Sequence, residues 1–219
     1  GGWYTEESIS TSQHWTITSH SPWVYEGEYA AWIWYDNVHP SDEWLFSSII
    51  DTSTSTQLSL FFMAYSDTIF SDEAKVQVWV TDKDGIRLTT EPLWNMADEN
   101  WDTTEYHPVL IDLSAYDGYG SIRISWQYVG QAGQVFGLDN ISVSDSSEVA
   151  WLSMNPITDT ILADETLDVT VSFDSTGLAL GDYFAAIHVE NSPYPVIPVP
   201  VILHVESKGY KSYIPLLFR

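Results

Sequence analysis

The chain contains no cysteine, which excludes disulfides, thiolate metal sites and cysteine nucleophiles together. Basic residues are nearly as scarce: 7 Lys and Arg stand against 31 Asp and Glu, a formal net charge of −24. A surface this acidic repels phosphate backbones and anionic headgroups, so it argues against nucleic acid and membrane-surface partners and attracts divalent cations, calcium first among them. No run of about 18 apolar residues exists to span a bilayer. The opening GGWY has neither a Met nor an apolar signal region, so the chain reads as a mature or excised fragment whose targeting signal, if any, is gone. Catalytic wiring is missing too. There is no GxSxG, HExxH or Walker loop, and the six histidines show no ligand or triad spacing.

What is present is apolar and aromatic. Across 219 residues, 44% are hydrophobic and 15% aromatic, ample for packed cores. Segments such as YAAWIWY (29–35), LSLFFMAY (58–65), KVQVWVT (75–81), PVLIDLS (108–114) and SIRISWQYV (121–129) are rich in aromatic and β-branched residues and are separated by Ser, Asp, Asn, Gly and Pro clusters. KVQVWV alternates, with Val76, Val78 and Val80 on one face and Lys75, Gln77 and Trp79 on the other, as a half-buried strand requires. No stretch of this half sustains a helical period. Many strands at short spacing without βαβ alternation predict a two-sheet sandwich or jelly roll over residues 1–146. DKDG (82–85), placed between KVQVWVT and IRLTT, reads as a hairpin turn ahead of a calcium loop.

After the polar SDSSE (144–148) the composition shifts. WLSMNP, LDVTVSFD, GDYFAAIHVE and PVIPVPVILHVE supply the short strands of a small immunoglobulin-like sandwich over 150–206. Pro195, Pro198 and Pro200 remove ladder donors from its last strand and confine that strand to an edge. Residues 207–219 then form a basic, apolar tail. It holds three of the seven basic residues and no acid, which leaves four basic residues against 31 acids, a net of −27, in the body before it.

The ordered set EGEYAAWI (26–33), DEWLFSSIID (42–51), LSLFFMAY, VQVWVT, a spaced Trp101, VLIDLSAYDGYGSIRISWQY (109–128) and GLDNISV (137–143) resembles the MAM-like jelly rolls of the cleaved-adhesin and choice-of-anchor type in secreted bacterial proteins. The second half resembles the small immunoglobulin-like modules that follow adhesive or catalytic domains in exported bacterial proteins, through Trp151 to Ser153, Val169 to Asp174, Thr176 to Leu178, Gly181 to Ala185 and Val199 to Val205. The resemblance implies an all-β chain, a jelly-roll β-sandwich followed by a small immunoglobulin-like β-sandwich. It also implies a structural calcium, with Asp139 at the position of the family's last-strand ligand and Glu28 at that of its early-loop ligand. The family's N-terminal acidic strand motif is not visible before Trp3, and Glu6 or Glu7 would have to stand in. The alternative for Asp139 is a carboxylate that caps a turn by accepting backbone N–H groups.

Eleven tryptophans raise carbohydrate recognition, because flat aromatic faces stack on sugar rings. Trp23, Trp32, Trp34 and Trp94 form the candidate platform, with Trp32 and Trp34 on one face of their strand. The expected function is therefore a non-catalytic, calcium-stabilised adhesion or binding protein of the extracellular space or cell surface, its partner a carbohydrate or another surface ligand. Two alternatives stand beside it. One is a structural subunit that assembles with copies of itself, as a filament would, through strand or tail exchange. The other is an accessory region of a larger secreted hydrolase.

Overall fold

The computed structural model describes residues 2–7, 13–20, 23–67, 74–99, 105–131, 135–145, 149–161, 165–189 and 197–206. Trp101, Pro195, most of the SDSSE linker and the whole 207–219 tail therefore lie outside the described residues. The chain divides into two compact units, Gly1–Ser144 and Asp145–Arg219.

Strands β1 (Tyr4–Glu7), β2 (Thr16–Thr18), β3 (Ala30–Ile33), β4 (Ser41–Phe46), β5 (Ile50–Asp51), β6 (Leu58–Ser66), β7 (Ala74–Asp82), β8 (Trp94–Asn95), β9 (His107–Asp112), β10 (Ser121–Gly130) and β11 (Phe136–Asp145) build the first unit. They form two sheets. One runs β1-β4-β10-β7-β8, with β5 also paired to β10; the other runs β2-β3-β11-β6-β9. Setting aside the edge strands β1 and β2 and the short β5, β3-β11-β6-β9 faces β4-β10-β7-β8, and the chain changes sheet at every connection except β7 to β8. That order is the jelly roll, reached with antiparallel pairing along β10 and its neighbours.

The alternation read from the sequence sets the layers. Val76, Val78 and Val80 of β7 and Ile122, Ile124, Trp126 and Tyr128 of β10 are buried in one core with Leu60 and Phe62 of β6 and Phe136 and Leu138 of β11. Each such side chain removed from water stabilises the fold by about 1.5–3 kcal/mol. Strand β6 is buried along nearly its whole length, Phe61 and Met63 included, so it reads as a continuous apolar run rather than an alternating one. DKDG closes a hairpin turn: Asp82 Oδ1 accepts the backbone N–H of Asp84 and of Ile86, both at 2.9 Å, and Gly85 takes φ +87°.

In the second unit β12 (Leu152–Asn155) pairs with β13 (Thr170–Phe173), and β14 (Gly181–Val189) pairs with β15 (Ile197–Val205), both antiparallel. Its core gathers Trp151, Ala185, Ile187, Val199 and Val201, and the Trp151 ring stacks on Phe173 at 6.2 Å. Pro198 and Pro200 stand opposite His188 and Ala186. Among the described residues β15 has β14 as its one ladder partner, so the missing proline donors fall where an edge strand tolerates them.

Candidate functional site

Asp139 lies in β11 as a buried carboxylate, and its oxygens receive backbone N–H groups. Oδ2 accepts from Tyr25 at 2.8 Å and Glu26 at 3.2 Å; Oδ1 accepts from Asn140 at 2.7 Å. Asn140, at φ +45°, donates its side-chain amide to Glu26 Oε2 at 2.7 Å. The carbonyl of Trp23 in the same loop accepts both the Trp32 indole N–H at 2.7 Å and the Tyr106 hydroxyl at 2.9 Å. Burial, and then the charge of Asp139, hold the Tyr106 phenol well above its ordinary range, so it remains a donor. Asp139 is thus the anchor of the 23–28 loop on the last strand.

Among the described residues this set does not by itself make a calcium cage. A cation of that kind needs six to eight oxygen lone pairs facing inward, whereas Asp139 is met by three N–H dipoles whose positive ends point at it. The loop carboxylate tied to this node is Glu26, through Asn140; Glu28, two residues on, is exposed. Among the described residues one group of three carboxylate or imidazole ligands converges, and it contains neither Asp139 nor Glu28.

The four candidate tryptophans do not form one platform. Trp32 is 1% exposed, stacked among Trp23, Tyr65 and Val135, with its N–H committed to the Trp23 carbonyl. Trp94 packs against Phe62 and Phe136 of the main core and donates to Glu99 Oε1 at 2.6 Å. Trp34 is 38% exposed and meets Trp23 edge to face at 5.0 Å, so these two form a small aromatic surface patch. The physical reason for the split is packing: the indole of Trp32 lies across Gly137, its opposite residue in β11, where the missing side chain leaves room for it.

A different aromatic surface covers the outer face of the β1-β4-β10-β7-β8 sheet. Tyr4 stands opposite Phe46, which stands opposite Ser125, which stands opposite Trp79. The next row is Glu6, Trp44, Gln127 and Gln77. Tyr4 and Phe46 stack at 4.7 Å, and Trp44 stacks on Phe46 at 5.7 Å. Gln127 joins the row by accepting from the Trp79 indole at 3.1 Å and donating to Asp42 at 2.9 Å. The Arg87 guanidinium lies 4.7 Å from the Trp79 ring centre and 5.9 Å from that of Trp44. Buried Arg123 lies over Tyr4 and donates to the carbonyls of Ser47 and Lys83.

Between these rows and the turn after β7 runs an open groove of about 610 Å³, lined by Glu6, Trp44, Phe46, Gly85, Ile86, Arg87, Thr89 and Thr90. Its floor is aromatic and its rim carries a cation, an anion and hydroxyls. The four basic residues of positions 1–206, Lys75, Lys83, Arg87 and Arg123, all belong to β7, the segment just after it, or β10. In a body of net charge −27 the basic residues therefore gather on this sheet and its turn, where they stand among Glu6, Glu7, Asp42, Glu43, Asp82 and Asp84. The sequence held the signal for this face: Trp79 stands on the polar side of KVQVWV, and Trp44 and Phe46 alternate with core-facing Leu45.

These features define an all-β, β-sandwich protein. No family model matches the sequence, and no curated protein is similar to it. Among solved structures, a carbohydrate-binding module in complex with β-1,4-galactotriose is 16% identical, with a TM-score of 0.47 over 65% of this chain and 88% of its own. The K1 cleaved adhesin domain of Lys-gingipain from Porphyromonas gingivalis is 12% identical, with a TM-score of 0.47 over 65% of this chain and 90% of its own. The glycoside hydrolase domain Endo-D of Streptococcus pneumoniae is 10% identical, with a TM-score of 0.52 over 91% of this chain, which matches 31% of that structure.

Proposed function

We propose that this chain is a non-catalytic carbohydrate-binding or adhesion protein that works in the extracellular space or at a cell surface, with its glycan seated on the outer face of the β1-β4-β10-β7-β8 sheet. The observation that carries this reading is the groove itself. Trp44, backed by the buried Phe46, gives an apolar floor against which a pyranose ring buries its C–H face, while Glu6, Arg87, Thr89 and Thr90 line the groove with acceptors and donors for the ring hydroxyls. Glu6, Trp44 and Phe46 are set on paired strands of the sheet, so this part of the groove is in place before a ligand arrives, which lowers the entropy cost of binding.

The test is a glycan array followed by calorimetry on the best ligand, with Trp44→Ala and Trp34→Ala as the paired variants. Trp44→Ala should weaken binding by about tenfold or more, the loss of one stacking contact, and Trp34→Ala should leave it unchanged. The reverse pattern would move the site to the Trp23 and Trp34 patch. An array on which no glycan binds would remove the carbohydrate reading.

A further inference from the structure

Away from both the groove and the Asp139 node, three ligand-type side chains converge at one edge of the sandwich. Glu7, at the end of β1, is the direct cross-strand partner of Glu43 in β4. His14, just before β2, places Nδ1 3.1 Å from Glu43 Oε2 and 3.6 Å from Glu7 Oε2. The three ligand atoms all lie within 4.8 Å of one another.

Two features of the surroundings point to a cation here. Like charges set directly opposite one another on paired strands are destabilising, and Glu7 and Glu43 occupy such a position. Moreover, Glu43 is buried, its side chain 2% exposed, on the core-facing side of β4 beside Leu45 and Tyr128. A carboxylate taken out of water costs several kcal/mol unless it is paired; the His14 imidazole at 3.1 Å is one partner of Glu43, and a cation held by both side chains keeps that pairing. The backbone at this point is fixed, since the Trp15 indole donates to the Glu43 carbonyl at 3.2 Å. The trio is thus held by β4 and by the residue next to His14.

We propose that Glu7, His14 and Glu43 form a binding site for a divalent transition-metal ion of the zinc class. Bonds of about 2.0–2.1 Å to nitrogen and oxygen set neighbouring ligands about 3.3 Å apart around a tetrahedral ion. The observed 3.1 and 3.6 Å separations bracket that edge. An imidazole with two carboxylates suits zinc, nickel or cobalt; calcium, which takes six to eight oxygens, gains nothing from the nitrogen. Glu7 and His14 are half-exposed, so the ion enters from solvent and keeps water in its remaining position. Its structural effect is to clamp β1 and the segment leading into β2 onto β4.

The experiment uses the full chain, stripped with chelator and then dialysed against zinc chloride, with calcium chloride in parallel. Bound metal is measured by equilibrium dialysis, and cobalt substitution gives a visible spectrum of the coordination sphere. One zinc should bind per site, raising the melting temperature, and His14→Ala and Glu7→Gln should each weaken it by more than about tenfold. His204→Ala, which removes an imidazole from a second His and carboxylate grouping, should leave that ion bound. Glu7 and His14 are half-exposed, so these variants keep the fold, which circular dichroism checks. Zinc bound equally by His14→Ala and Glu7→Gln overturns the site. So does a chain that binds no zinc.

Discussion

A carboxylate inside an apolar strand has two uses, to hold a metal or to hold a loop, and the difference lies in what points at it. Asp139 collects N–H groups from residues 113 and 114 positions earlier in the chain. Charge-assisted bonds of that kind are worth about 1.5–3 kcal/mol each when buried. Asp139→Asn replaces one acceptor oxygen with an amide donor facing other donors, so it should lower the unfolding free energy by about 2 kcal/mol. Denaturant titrations of both proteins, each in calcium and in chelator, check this. The loss should be the same in both solutions, and a calcium-dependent gain present in the parent and absent in Asp139→Asn would contradict the loop-anchor role. The importance of Asp139 was legible in GLDNISV; its partners were not, because no local pattern records which distant backbone meets a side chain. The same holds for Trp32 and Trp34, two residues apart in sequence, of which Trp32 lies in β3 and Trp34 just past its end. Their burial differs because Gly137 lies opposite one of them.

At the scale of the strand, the periodic signal was strong where one face meets the core and weak where both faces are covered. KVQVWV showed its inward residues by alternation, and Val76, Val78 and Val80 are all buried. What alternation could not reveal is that the outward residues are largely covered too. Phe46 and Trp79 are buried on the outer face because Arg87 lies over Trp79, while Gly85 and Tyr4 pack on Phe46. The pairing of β3 with β11 offers the sharpest test at this scale. A methyl group added at Gly137 would stand 2.8 Å from Cε2 and 2.9 Å from Cζ2 of Trp32, an indole with no free space to retreat into. Gly137→Ala should therefore destabilise the first unit by about 1–3 kcal/mol, the ordinary cost of overpacking. Gly118→Ala, where a new methyl meets no atom but the backbone has φ +70°, separates steric from conformational cost in the same thermal melts.

Over the whole molecule, charge is the dominant variable. A net charge of −24 repels itself in the compact state, and added salt screens it, so the melting temperature should rise between low and moderate ionic strength. Lowering the pH from 8 to 6 acts in the same direction through histidine. His204 in β15 stands opposite Asp182 in β14; its Nδ1 meets Asp182 Oδ1, and its Nε2 lies 3.1 Å from Glu206 Oε1. The hydrogen bond that His204 donates to Asp182, then the charge of Asp182, and further the proximity of Glu206 raise its pKa above the ordinary 6.5. A group whose folded pKa is raised binds its proton more tightly in the native state, so its contribution is complete below pH 6.5 and disappears as pH rises through the folded value. The parent chain should thus melt above His204→Gln at pH 5.5, and the two should converge as the pH rises through the folded value. Because His204 is exposed, salt should shrink this gap as it raises both melting temperatures, since the ions that relieve the overall repulsion also screen the cross-strand pair. A gap that instead widens with pH would mean that His204 is held neutral, and that the two acids beside it act as acceptors for its N–H rather than as counter-charges.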